Sequence, residues 1–147
     1  MINYFKAAER TLSERGNLER ALENLNRRKS RIIQRSAPQG LPEMDYSRTY
    51  ISGGGASDAL TDCLQLAEVV REIEATKETI EEIDRVLTQL EPSDSAILRA
   101  WYIDHRTKGE IAEELNYSST TTVYDLRNKA VSAFAILYYG AGSLSST

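Results

Sequence analysis

The sequence predicts an all-α protein, a long coiled-coil-like N-terminal helical hairpin followed by a C-terminal helix-turn-helix. Three patterns predict it. Within residues 57–91, Leu66, Ile73, Ile80 and Leu87 occupy heptad position a, and Val69, Thr76, Ile83 and Leu90 occupy position d. Such a repeat marks a coiled-coil seam. Residues 1 to about 35 carry a second amphipathic pattern in Tyr4, Ala8, Leu12, Leu18, Leu22, Leu25 and Ile32,. The stretch Thr107 to Leu137 reads as a short helix, a turn and a longer helix,.

Taken in order, the first helix holds Gly16-Asn17, a pair able to split it, and ends in a basic cluster of Arg27, Arg28, Lys29, Arg31 and Arg35,. Residues 36–56 form a break, because two prolines and four glycines oppose a helix there,. Leu41, Met44, Tyr46, Tyr50 and Ile51 give this loop apolar anchors. Gly53-Gly54-Gly55 reads as a hinge, since it lacks the lysine and serine or threonine of a phosphate loop,. Ser57 is the expected N-cap of the heptad helix, with Asp58 and Asp62 in its early turns,. The partner of that seam is either the first helix folded back or a second chain.

Pro92 opens the next helix, SAILRAWYIDH, whose Ile97, Leu98, Trp101 and Tyr102 form its apolar side,. Thr107 and Glu110 stand in capping-box spacing,. Ile111, Ala112 and Leu115 then share one face, and the small Ala112 suits a close helix crossing. Ser119 is the expected N-cap of the last helix, in which Val123, Leu126, Ala130, Phe134 and Leu137 should face inward,. Thr121, Asp125, Asn128 and Ser132 then face outward, with Tyr124 at the border,. The division expected is a hairpin over 1–91, a helix-turn-helix domain over 92–139 and a flexible tail over 140–147.

Composition narrows the function. The 147 residues are 41% hydrophobic and 27% charged, as in soluble globular proteins,. No apolar run reaches the roughly 20 residues of a membrane span, and MINYFKAAERTL lacks signal-peptide order,. Cys63 and His105 are the sole cysteine and histidine, so neither a disulfide framework nor a Cys/His metal cluster is expected,. With no phosphate loop or nucleophile motif either, an enzyme is not expected and no cofactor is implied. A reducing cytoplasm is the consistent compartment. The net charge of −4 is unevenly spread, at +4 over residues 1–50, −7 over 57–91 and −1 over 92–147. A nearly neutral C-terminal unit can still present a local basic edge.

These features make DNA the expected partner of the last helix. Its N-terminal turns would reach base edges through Thr120, Thr121, Tyr124, Asp125 and Asn128,. Lys108, Ser119, Arg127, Lys129 and Arg106 would contact phosphates,. A two-fold DNA site would go with a homo-oligomer, a dimer first.

The stretch Ile97 to Phe134 resembles the DNA-binding region four of bacterial sigma factors. Its strongest pieces are Glu110-Ile111-Ala112-Glu113-Glu114-Leu115, Thr122-Val123-Tyr124 and Ala130. The whole layout is similar to phage transcriptional regulators of the RinA and ArpU type. That resemblance implies a regulator of phage late genes in a bacterial host cytoplasm, with host RNA polymerase as a possible contact. Between Leu115 and Val123 the chain carries one residue more than the family pattern, which leaves Thr120, Thr121 and Thr122 as alternatives for the first recognition turn. Two other readings fit the same layout, a packaging factor like a small terminase subunit and a protein-interaction adaptor that does not bind DNA.

Overall fold

A computed structural model describes residues 2–36 and 53–146, with the backbone alone for 53–57, 145 and 146. Every element among the described residues is helical. In chain order these are α1 (Tyr4–Ser36), α2 (Gly53–Gln89), α3 (Pro92–Leu98), a π-helical turn (Arg99–Ile103), α4 (Lys108–Glu114), α5 (Thr120–Tyr139) and a closing 3-10 helix (Gly140–Ser146).

Three expectations need correction. Gly16-Asn17 does not split α1, which runs unbroken from Tyr4 to Ser36. The packing on both sides of Gly16 outweighs its poor propensity, and a methyl group added there would meet nothing within 4 Å. Gly16→Ala should therefore stabilise the chain by about 0.5–1 kcal/mol, read as a rise in Tm. An unchanged or lower Tm would mean that α1 is not helical at this point. Gly53-Gly54-Gly55 is the first turn of α2 and not a hinge, so Ser57 lies inside that helix. Residues 37–52, with the anchors Leu41, Met44, Tyr46, Tyr50 and Ile51, lie outside the described residues. Finally, the expected flexible tail forms a 3-10 helix as far as Ser146. Gly140 (φ 83°) admits it, and the buried Ser143 hydroxyl donates to the Gly140 carbonyl at 2.9 Å.

The chain packs as two compact units, which do not divide at residue 92. One comprises Arg20–Glu78, the facing stretches of α1 and α2. Ile32, Val69 and Ile73 are its buried residues, flanked by Leu22, Leu25 and Leu66. Arg35 donates to Asp62 at 2.6 Å and to Gln65 at 2.9 Å. With Ile32 against Val69 and Ile73, this pairing makes the two stretches antiparallel. Arg35 also holds the Asp62 carboxyl below its ordinary range.

The other unit comprises Met1–Glu19 and Thr79–Thr147. Its core joins Ala8 and Leu12 of α1, Ile83 and Leu87 of α2, Ile97 and Leu98 of α3, Ile111 of α4, and Val123, Ala130, Val131 and Phe134 of α5. Arg15 locks α1 to α2 here, donating from Nε and Nη2 to the two oxygens of Asp84 at 2.7 and 2.8 Å. In both units the heptad seam points inward. Val69, Ile73, Ile83, Leu87 and Leu90 are buried, and Leu66, Thr76 and Ile80 are half-buried.

Candidate nucleic-acid interface

The C-terminal helices are set by local signals that act as the sequence predicts. Thr107 caps α4, its hydroxyl oxygen accepting from the Glu110 backbone N–H at 3.2 Å. The Glu110 carboxylate in turn accepts from the Thr107 hydroxyl at 3.1 Å. The helix ends at Asn116, whose left-handed backbone (φ 62°) is one that asparagine tolerates,. The Tyr117 N–H bonds to the Ala112 carbonyl at 2.8 Å and the Asn116 N–H to that of Glu113 at 3.3 Å, which closes a Schellman turn,. Ser119 then caps α5, accepting from the Thr122 N–H at 3.3 Å.

This cap decides the register. Thr120 is the first helical residue, Thr122 faces the cap, and Val123 is fully buried. Thr121, Asp125 and Asn128 are exposed in one row along the first two turns, with Thr120 and Lys129 exposed beside them. Ser132, expected in the same row, is half-buried and lines an apolar cavity of about 330 Å3 with Tyr4, Phe5 and Ala135. Leu137, expected inward, is 46% exposed, whereas Val131 and Ala135 are buried. The buried stripe rotates because the last turns of α5 are covered from another side. Tyr139 there meets the Tyr4 ring at 5.4 Å and shares a 2.8 Å hydrogen bond with Thr11.

The cations expected to contact phosphate fall into three groups. Lys129 is exposed and free of ion pairs among the described residues. Lys108 Nζ lies 4.4 Å above the centre of the Tyr124 ring, and Tyr124 itself is half-buried against the edge of Trp101. Arg106 is exposed and paired with Glu114, which raises its pKa further. Arg127 is turned inward. Its Nη1 donates to Glu9 Oε2 at 2.5 Å and to Tyr102 Oη at 3.0 Å, while its guanidinium carbon lies 4.7 Å from the centre of the Trp101 ring. Its buried Nε has no hydrogen-bond partner. The expected phosphate contact of Arg127 therefore gives way to a structural role, since the buried core of this unit surrounds it.

Glu9, Tyr102 and Arg127 form a closed polar triangle, because Tyr102 Oη also donates to Glu9 Oε2 at 2.9 Å. It joins α1, the π-helical turn and α5. The π turn contributes the geometry, with the Asp104 N–H reaching back to the Arg99 carbonyl at 2.8 Å,. Neither Glu9 nor Tyr102 stands out as polar machinery in the sequence. A signal for Arg127 does exist, since it lies four residues after Val123 and three before Ala130, in the middle of the inward stripe. Arg15 sits likewise three residues after Leu12.

Burial pushes the Tyr102 phenol up to about 12, with Glu9 raising it and Arg127 opposing. An unfolded tyrosine titrates near 10. Its contribution is thus fully present below about pH 10 and is lost as pH rises toward about 12. Wild-type stability should fall by roughly 2–3 kcal/mol more than that of Tyr102→Phe across this window. Parallel alkaline slopes for the two proteins, measured by urea denaturation, would rule out the buried phenol as the cause.

Residues 42–135 match the family model described as Protein of unknown function (DUF1492). The chain belongs to the DUF1492 family. No curated protein and no solved structure matches it. The DUF1492 match takes in α2, α3, α4 and most of α5. Tyr102 and Arg127 lie within it, and Glu9 lies before it. Among the described residues of this DUF1492 chain no group of His, Cys, Asp and Glu could hold a metal ion, and no helix is long and apolar enough to cross a membrane.

Proposed function

We propose that the protein is a sequence-specific DNA-binding regulator of transcription, in which α4, the turn and α5 act as a helix-turn-helix resembling sigma region four. The observation that carries this reading is the uninterrupted exposed row of Thr121, Asp125 and Asn128 on the capped N-terminal turns of α5. Those turns are the part of a recognition helix that meets base edges in a major groove. Asn128 can pair bidentately with adenine, Asp125 can accept from the amino group of cytosine, and Thr120 or Thr121 can meet a thymine methyl. Lys108 and Lys129 flank the row and serve the phosphates, with the Ser119 hydroxyl at the helix start. Tyr124 acts mainly as the ring on which Lys108 rests. The resemblance to RinA- and ArpU-type regulators adds a late phage operon as target, host RNA polymerase as a contact and the host cytoplasm as location.

Arg106 joins the phosphate set by exchanging Glu114 for DNA. An exposed ion pair is worth only about 0–1 kcal/mol, so a phosphate can replace it. Glu114→Gln frees Arg106 and removes a like charge from the DNA. Affinity should rise by roughly three- to tenfold at low salt, with the gain shrinking as salt increases. An equal or weaker affinity in a fluorescence-anisotropy titration would remove Arg106 from the interface.

The experiment that tests the function is selection of bound genomic fragments by the purified protein at two salt concentrations. One enriched site that survives the higher salt supports the regulator. Binding spread over all fragments and abolished by salt denotes phosphate contact alone. No binding overturns the proposal in favour of a protein-interaction adaptor.

A further inference from the structure

The unit Arg20–Glu78 has two unlike flanks. On one, Arg28, Arg31 and Arg35 of α1 face Gln65, Glu68 and Glu72 of α2 across a cavity of about 400 Å3. At about 100° per residue, Ile33 falls on the opposite flank of α1. By the same rotation Cys63 and Val70 share that flank on α2, and Leu60, Leu64 and Ala67 continue the patch around its outer face. Ile33 is 45% exposed, Leu60 62% and Leu64 63%. This apolar patch sits on a unit whose own core has only three buried residues. Two helices in contact bury one seam, and a second layer is the usual completion.

We infer that this flank is the interface at which a second copy of the chain docks, so that two hairpins close into a four-helix bundle. Charge identifies the occupant. Residues 20–36 of α1 carry a net +5, and residues 53–78 of α2 carry a net −4. Among the described residues none of Arg20, Arg27, Arg28, Lys29 and Arg31 forms an ion pair, and neither do Glu68, Glu72, Glu74 and Glu78. A two-fold pairing lays α1 of each copy along α2 of the other, which places the positive stretch against the negative one twice over. An unrelated partner would need that same alternation, whereas a second copy has it by construction. The surface stands whether or not α5 reads DNA.

Sedimentation equilibrium of the full chain without DNA tests the inference. The expected result is a dimer whose dissociation constant rises by about 30-fold or more in Leu64→Glu, the effect of replacing an interface anchor by a charge, with the helical circular dichroism retained. Leu60→Gln, a milder change, should weaken the dimer in the same direction if Leu64→Glu fails to fold. A monomeric wild-type protein overturns the inference, because the patch then serves another occupant. So does a dimer unaffected by both substitutions, because the interface then lies elsewhere.

Discussion

Glu9→Leu is expected to destabilise the fold by about 2–3 kcal/mol, the largest single effect of any polar substitution here. Removing one partner of a fully buried ion pair costs about 3–5 kcal/mol, because the remaining charge is left without compensation. The Arg127 side chain is only 13% exposed, but that of Glu9 is 31% exposed, and water moderates the loss. Tyr102 Oη still accepts from Arg127 in the variant, yet a neutral phenol cannot neutralise a guanidinium. Adding Arg127→Met should recover most of the stability, since a buried pair exchanged for apolar groups of similar volume is often neutral or better. Urea denaturation of the wild type, both single variants and the double variant measures the coupling. A Glu9→Leu variant within 0.5 kcal/mol of wild type would show that the triangle does not hold the helices. The folded double variant also isolates the role of Arg127 in DNA binding. Near-wild-type affinity is expected of it, whereas a large uniform loss would return Arg127 to the phosphate set.

The second large effect is on specificity. Asn128→Ala should reduce discrimination at one base position by about 1–3 kcal/mol, or roughly 5- to 150-fold, the worth of a bidentate contact to adenine. Asn128 is exposed and outside the core, so stability should change little,. Lys129→Ala should behave differently. It should weaken binding to all sequences alike and lower the salt slope by about one. Binding to a library of variant sites separates the two. If both variants lose affinity without change of base preference, Asn128 is a backbone contact and the base-reading row must be reassigned.

Most of the local architecture is legible in the sequence because its signals are local. The capping pair Thr107 and Glu110, the cap Ser119 and the heptad row from Leu66 to Leu90 each act over a few residues, and each helix end or buried face follows. Gly16 misled because a glycine lowers helix propensity by only about 1 kcal/mol, and the packing of Leu12, Arg15 and Leu18 around it outweighs that. The rotation of the inward stripe late in α5, from Leu137 to Val131 and Ala135, depends on where Tyr4 and the 3-10 helix come to lie.

The sequence by itself therefore determined an all-helical chain, the starts of α4 and α5, and the exposed row Thr121, Asp125 and Asn128. These follow from hydrogen bonds and periodicities within one or two turns. Only the tertiary structure decided which charges are surface groups and which are ties. Arg127 and Glu9 stand 118 residues apart, and Arg15 and Asp84 stand 69 apart. A charge on an inward stripe must find a counter-charge, but helical periodicity does not say which distant helix supplies it.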